Sequence, residues 1–157
     1  MPQHCATVRW HCRDGERFLD NQYSRRHSWH FDGGLVVPAS ASPHIVPLPY
    51  AAAENIDPEE AFVAALSSGH MLFFLAFAAK RGLDVEGYDD EAVGVLAKAV
   101  SGKLCMAQVT LRPKVTFVGE ARFARDVIEQ LHSQSHEACF IANSVNSEVI
   151  VDLSRQP

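Results

Sequence analysis

Three shortages narrow what this chain can do. Positive charge is scarce: 14 Lys and Arg stand against 19 Asp and Glu, the formal net charge is -5, and no basic run exceeds Arg25-Arg26. A nucleic-acid surface needs clustered positive charge, so nucleic acid is not an expected partner. Paired cysteine is missing: Cys5, Cys12, Cys105 and Cys139 form no CxxC and no compact spacing. That argues against a disulfide framework or a zinc ribbon and makes a reducing cytoplasm the expected compartment. Long apolar runs are also missing, apart from residues 61–79, which approach the length of a membrane span but carry Ser67, Ser68, Gly69 and His70 at their middle. With Glu59-Glu60 before it, Lys80-Arg81 after it and no second such segment, the run reads as a buried helix of a soluble protein, and no membrane is expected. The N-terminal stretch MPQHCATVRWHCRDGERF has charges and histidines where a signal peptide needs an apolar centre. No phosphate loop, dinucleotide fingerprint or Ser-His-Asp elbow occurs.

What is there fits one α+β domain over residues 1–157, with 47% apolar residues to fill its core. HCATVRWHC at 4–12 and YSRRHSWHF at 23–31 are strand-like. Asp32-Gly33-Gly34 then signals a hairpin before LVVPAS, giving a three-stranded antiparallel meander. Residues 41–56 hold three prolines and read as an extended surface loop. Asp57-Pro58-Glu59-Glu60 is a helix start, with Asp as N-cap, Pro at the first helical position and acids facing the dipole. That helix is predicted to run to Arg81 and stop at Gly82; it is apolar on nearly every face, so other elements must surround it. Residues 91–100 and 104–118 read as a long hairpin in which Pro113 marks an edge or bulge, 122–138 as an amphipathic helix, and SEVIVDL as a last strand. The predicted order is βββ-α-ββ-α-β.

Within this frame several side chains carry chemistry. His132, His136 and Cys139 fall on one side of the second helix and could present metal ligands. The Glu of an HExxH motif is absent, however, and a half-exposed polar face is the plainer reading. His70 is either a neutral core histidine bonded to backbone or a catalytic group. Arg25 and Arg26, on a strand, would point to opposite faces, and one turned inward would need a carboxylate such as Glu59 or Glu60. Gly69 is the oddity, because glycine inside a helix costs about 1 kcal/mol relative to alanine.

YSRRHSWHFDGG, VPASASPHIVPLPY, DPEEAFVAALSSGHM, AAKRGLDVEGYDDEAVG and HEACFIANSV, in this order over nearly the whole chain, resemble the OsmC/Ohr family of organic hydroperoxide reductases. The resemblance implies antiparallel sheets packed around two central helices in an intertwined homodimer, with sites at the dimer interface and peroxide reduction by a cysteine pair that needs no cofactor, neither metal nor flavin. It places the reacting cysteine at Gly69, the resolving cysteine at Cys139, and the flanking arginine and glutamate at Arg25 and Glu59. Ser68, His70, Met71 and Phe73 would frame the pocket. Since glycine has no sulfur to attack a peroxide oxygen, the expectation is an inactive or much reduced thiol peroxidase of organic hydroperoxide detoxification. A dithiol reductant is the expected co-substrate. The alternatives are a dimer that binds a hydrophobic small molecule in the vacated pocket, and a residual enzyme using Cys139 alone.

Overall fold

In a computed structural model, which describes residues 1–120 and 123–156, the chain is α+β and forms two compact units, Met1–Ala61 and Phe62–Pro157. The first unit holds the predicted meander: β1 (Ala6–Arg9), β2 (His27–Phe31) and β3 (Val36–Ala39), all antiparallel in the order β1-β2-β3. The turn after β2 closes through Phe31 N–H to the Leu35 carbonyl at 3.0 Å, with Gly34 at φ 85°, where a residue without Cβ is favoured. β2 begins only at His27, so Arg25 and Arg26 lie just before the strand and its alternation does not orient them. The proline-rich segment after β3 is less superficial than expected. Ser40, Ser42, Ala51 and Ala52 are buried. The Ser40 hydroxyl accepts from Ala52 N–H at 3.0 Å, and Ser40 N–H donates to the Ile56 carbonyl at 3.0 Å. These bonds satisfy backbone groups that a buried loop would otherwise strand.

The helix α1 (Pro58–Lys80) begins as the sequence dictates. Asp57 accepts from Glu60 N–H at 2.7 Å while the Glu60 carboxylate accepts from Asp57 N–H at 3.1 Å, a reciprocal cap. At the other end Gly82, at φ 73°, lets Leu83 N–H reach the Ala78 carbonyl at 2.9 Å. The helix runs unbroken through Ser67-Ser68-Gly69, so these residues do not mark a break.

The second unit departs from the predicted order by two strands, an added β4 and a second hairpin arm divided in two. β4 (Val85–Asp90) was not foreseen, because VEGYDD is acidic and contains glycine; it forms by pairing antiparallel with β7 (Pro113–Phe117). β5 (Val93–Lys98) pairs antiparallel with β6 (Leu104–Leu111), and β8 (Glu148–Val151) lies parallel to β6. The second arm of the predicted hairpin is thus two strands in two sheets, divided at Arg112, with Pro113 opening β7, a position where its missing N–H is tolerated. α2 spans Arg125–Ala138 and ends at Cys139. The expected start at 122 lies outside the described residues, and Phe123 packs on Phe117 ahead of the helix.

Four residues of α1 are buried, Leu66, His70, Phe74 and Ala78, spaced by four along one stripe. Leu66 joins Val109 and Leu111 in one core cluster. Phe74 and Ala78 join Val115, Phe117, Ile128 and Leu131 in another. The rest of α1 is not enclosed within the chain, contrary to the expectation that its apolar faces are all covered: Leu72 is 62% exposed. By length and composition alone α1 could cross a membrane, with a mean hydropathy of 1.8.

Candidate active site

The contact between α1 and the end of α2 holds the two positions that the resemblance singles out, residues 69 and 139. Gly69 faces Cys139: a Cβ built on Gly69 would lie 3.0 Å from Cys139 Sγ and 3.5 Å from Ile141 Cγ1. Cys139 is buried, whereas Cys5, Cys12 and Cys105 are exposed, so one cysteine of the four is built into the interior. Its place follows from local structure, since it caps α2 and donates its N–H to the His136 carbonyl at 3.3 Å. Two cysteines joined by a disulfide put one Cβ about 3 Å from the other sulfur, given an S–S bond of about 2.05 Å. The spacing at Gly69 matches that value, and it is tighter than ordinary packing.

The other residues that the resemblance singled out are distributed as follows. Ser68 is exposed, its hydroxyl turned back to the Ala65 carbonyl at 3.3 Å. Ser67 donates to Asp90 at 2.5 Å, tying α1 to β4. Met71 and Phe73 are half-buried, and Phe73 packs edge-on against Phe140 at 5.1 Å between ring centres. The space a side chain at 69 would enter is bounded at contact distance by Cys139 and Ile141.

His70 is neutral and buried, but its partner is a side chain, not backbone: His70 Nε2 and His132 Nδ1 are hydrogen-bonded at 2.9 Å, the rings lying within 5° of parallel. Burial pushes His70 down to about 4, with His136 nearby adding to the effect, and His132 down to about 3, with His70 adding to the effect. Phe74 stacks on His132 with centroids 4.4 Å apart. His132 is therefore not part of a half-exposed polar face, and the sequence does not reveal its pairing with His70 because the two are 62 residues apart. With His132 bound to His70 and Cys139 turned to Gly69, the three do not act as one ligand set; among the described residues no three His, Cys, Asp or Glu side chains gather around a common point. A cleft of about 680 Å³ beside α2, lined by Arg125, Glu129, His132, His136, Asp152 and Ser154 among others, does not include residue 69.

In the N-terminal unit, the Arg25 guanidinium donates to the Asn21 and Tyr23 carbonyls at 2.9 and 2.5 Å and lies 3.6 Å from the centre of the Tyr23 ring. Among the described residues of this unit no carboxylate pairs with it. Arg26 is the one that finds an acid, Glu54, at 2.6 Å. Glu59 sits half-buried in the first turn of α1, and Glu60 rather than Glu59 closes the cap. The expected Arg25–Glu59 pair is thus not formed within this unit.

Residues 51–154 match the family described as OsmC-like protein. The chain belongs to the OsmC-like family. Gly69, Cys139 and Glu59 fall inside that span and Arg25 outside it. An OsmC-like protein of unknown function from Vibrio cholerae is 53% identical, with a TM-score of 0.94 over 97% of this chain and 99% of that one. The organic hydroperoxide resistance protein OhrB of Bacillus subtilis, at 19% identity, matches with a TM-score of 0.65 over 96% of each chain. An organic hydroperoxide resistance protein from Elizabethkingia anophelis, at 14%, matches with 0.70 over 96% of this chain and 93% of that one. The last two share the OsmC/Ohr fold with this chain. No curated protein matches the sequence.

Proposed function

We propose that residues 1–157 form one OsmC/Ohr-type domain of organic hydroperoxide detoxification in which Gly69 occupies the position of the reacting thiol, so that this chain has negligible two-cysteine peroxidase turnover. The observation that carries the reading is the 3.0 Å between a Cβ on Gly69 and Cys139 Sγ. A residue pair with that spacing is poised to be bridged through sulfur, and one sulfur is in place.

The chemistry the frame would support, once a sulfur stands at 69, balances as follows. The thiolate attacks one peroxide oxygen, the O–O bond breaks, the sulfur becomes a sulfenic acid and the departing alkoxide takes a proton. The Cys139 thiolate then attacks the sulfenic sulfur, the hydroxyl leaves as water, and a disulfide remains for an external dithiol to reduce. Arg25 is the group to lower the thiol pKa and to stabilise the departing oxyanion, with Glu59 to orient it; in this reading the two meet at the assembled dimer's site. Glycine supplies none of the first step.

Assembly as an intertwined homodimer is supported by what one chain leaves open. Leu72 is 62% and Phe140 74% exposed, Ile141 lies beside Phe140, and the β4–β7 sheet has only two strands. Leu72→Glu is expected to shift the chain from dimer to monomer in sedimentation velocity. A second reading, capture of a hydrophobic small molecule where the sulfur was lost, draws no comparable support, since Cys139 and Ile141 close that space.

The test is consumption of tert-butyl and cumene hydroperoxide with a dithiol reductant, on the unmodified chain and on Gly69→Cys. Gain of turnover by the variant alone is the expected result. Equal turnover by both, or none by either, overturns the reading. Cys139→Ser in the unmodified chain is expected to leave any slow background unchanged, against a one-thiol enzyme.

A further inference from the structure

The buried histidine pair is not needed to fill the core, and its position raises a question of register. The α1 stripe is otherwise Leu66, Phe74 and Ala78, whose apolar contacts are non-directional. A slip of α1 by one residue moves it about 1.5 Å along its axis and still leaves apolar surface on apolar surface. A disulfide across residue 69 is poorly served by such a slip, because the Cβ–Cβ separations it accepts span only about 1 Å. One directional contact sits beside that position: the 2.9 Å bond from His70, the residue after Gly69, to His132, two helical turns before Cys139. Both partners are almost wholly buried, His70 at 1% and His132 at 2% exposure, and Phe74 stacks on the His132 ring. A shift of about 1.5 Å would break a bond that weakens steeply beyond about 3.5 Å.

We infer that the His70–His132 hydrogen bond is a positioning device that sets the register of α1 against α2 and thereby holds residue 69 over Cys139. Both rings are neutral at neutral pH, so one N–H is donated across the helix contact and no like charges oppose each other. The pair contributes orientation, since an apolar pair of similar volume would pack at least as well. This inference rests on the reading that 69 and 139 are the two reacting positions. Its test uses a different oxidant, so the two can fail separately.

Gly69→Cys serves as the ruler. Equilibrated with reduced and oxidised glutathione, its two thiols pass two electrons and two protons to one oxidised glutathione and close the 69–139 disulfide, which is quantified by mass spectrometry after alkylation. In this background His132→Leu is expected to lower the equilibrium constant for closure at least tenfold, about 30 mV for a two-electron couple. His132→Asn, whose amide nitrogen falls where Nδ1 was, restores it to within about threefold. The double change His70→Leu/His132→Leu is expected to cost no more than either alone, because one bond is lost in each case. His70→Leu provides the same comparison if His132→Leu does not fold. Closure unchanged in the Leu variants, no rescue by Asn, additive losses in the double variant, or no closure in the Gly69→Cys parent would each overturn the inference. Closure by glutathione without any closure by peroxide would instead overturn the proposed function and leave the register device standing.

Discussion

Two glycines in the C-terminal unit meet their surroundings in opposite ways. At Gly94, on β5, an added Cβ would fall 2.6 Å from Val63 Cγ2 and 2.7 Å from Met106 Sδ, so strand and helix approach closely because no side chain is there. At Gly69 the nearest atom is a single sulfur at 3.0 Å, a distance that fits a covalent partner better than a packing one. Gly94 is required by the fold. Gly69 is tolerated by it, at the cost of helix propensity, and marks a place where a side chain has a defined counterpart.

The largest structural effect that would sharpen this contrast is Gly94→Val. It forces a branched side chain into Val63 and Met106, and a loss on the order of 3 kcal/mol is expected in urea unfolding. A loss below about 1 kcal/mol would remove the distinction between the two sites. Acid comes next, through the histidines beside Gly69. Their folded values, about 4 and about 3, lie below the usual 6.5, so between these values the unfolded chain binds more protons than the folded one. The histidines' contribution to stability is therefore fully present above about pH 6.5 and is lost as pH drops toward 4. One such histidine accounts for about 3 kcal/mol, because each tenfold loss of proton affinity on folding is worth about 1.4 kcal/mol. His132→Leu should flatten the midpoint-against-pH curve in that window, and an unchanged curve would count against the neutral pair. The smallest effect is Gly69→Ala. The gain of about 1 kcal/mol in helix propensity is offset by the crowding against Cys139 Sγ, so the net change should stay within about 1 kcal/mol. In a Cys139→Ala background the crowding is relieved, and Gly69→Ala should then stabilise by up to about 1 kcal/mol.

The sequence showed most where local chemistry decides structure. Asp57 through Glu60 and Gly82 delimit α1 to within a residue, and the meander is readable from Asp32-Gly33-Gly34. It showed little where partners are remote. β4 exists because β7 pairs with it, and no local propensity in VEGYDD announces that. His132 reads as a polar surface residue until His70 is brought to it. Of the site, Gly69 and Cys139 were named from the family resemblance, and the fold sets them face to face. Within its unit Arg25 is held by the Asn21 and Tyr23 carbonyls and the Tyr23 ring in place of a carboxylate. Spacing in sequence does not reveal that arrangement.

The most direct measurement is a single-turnover one. One equivalent of cumene hydroperoxide is added to the reduced unmodified chain and to reduced Gly69→Cys, followed by alkylation and peptide mapping. The account predicts a 69–139 disulfide and one equivalent of alcohol from the variant, with Cys139 of the unmodified chain recovered as the free thiol and its peroxide unspent. Rapid peroxide loss with oxidised Cys139 in the unmodified chain, or a variant that leaves both thiols free, would contradict it.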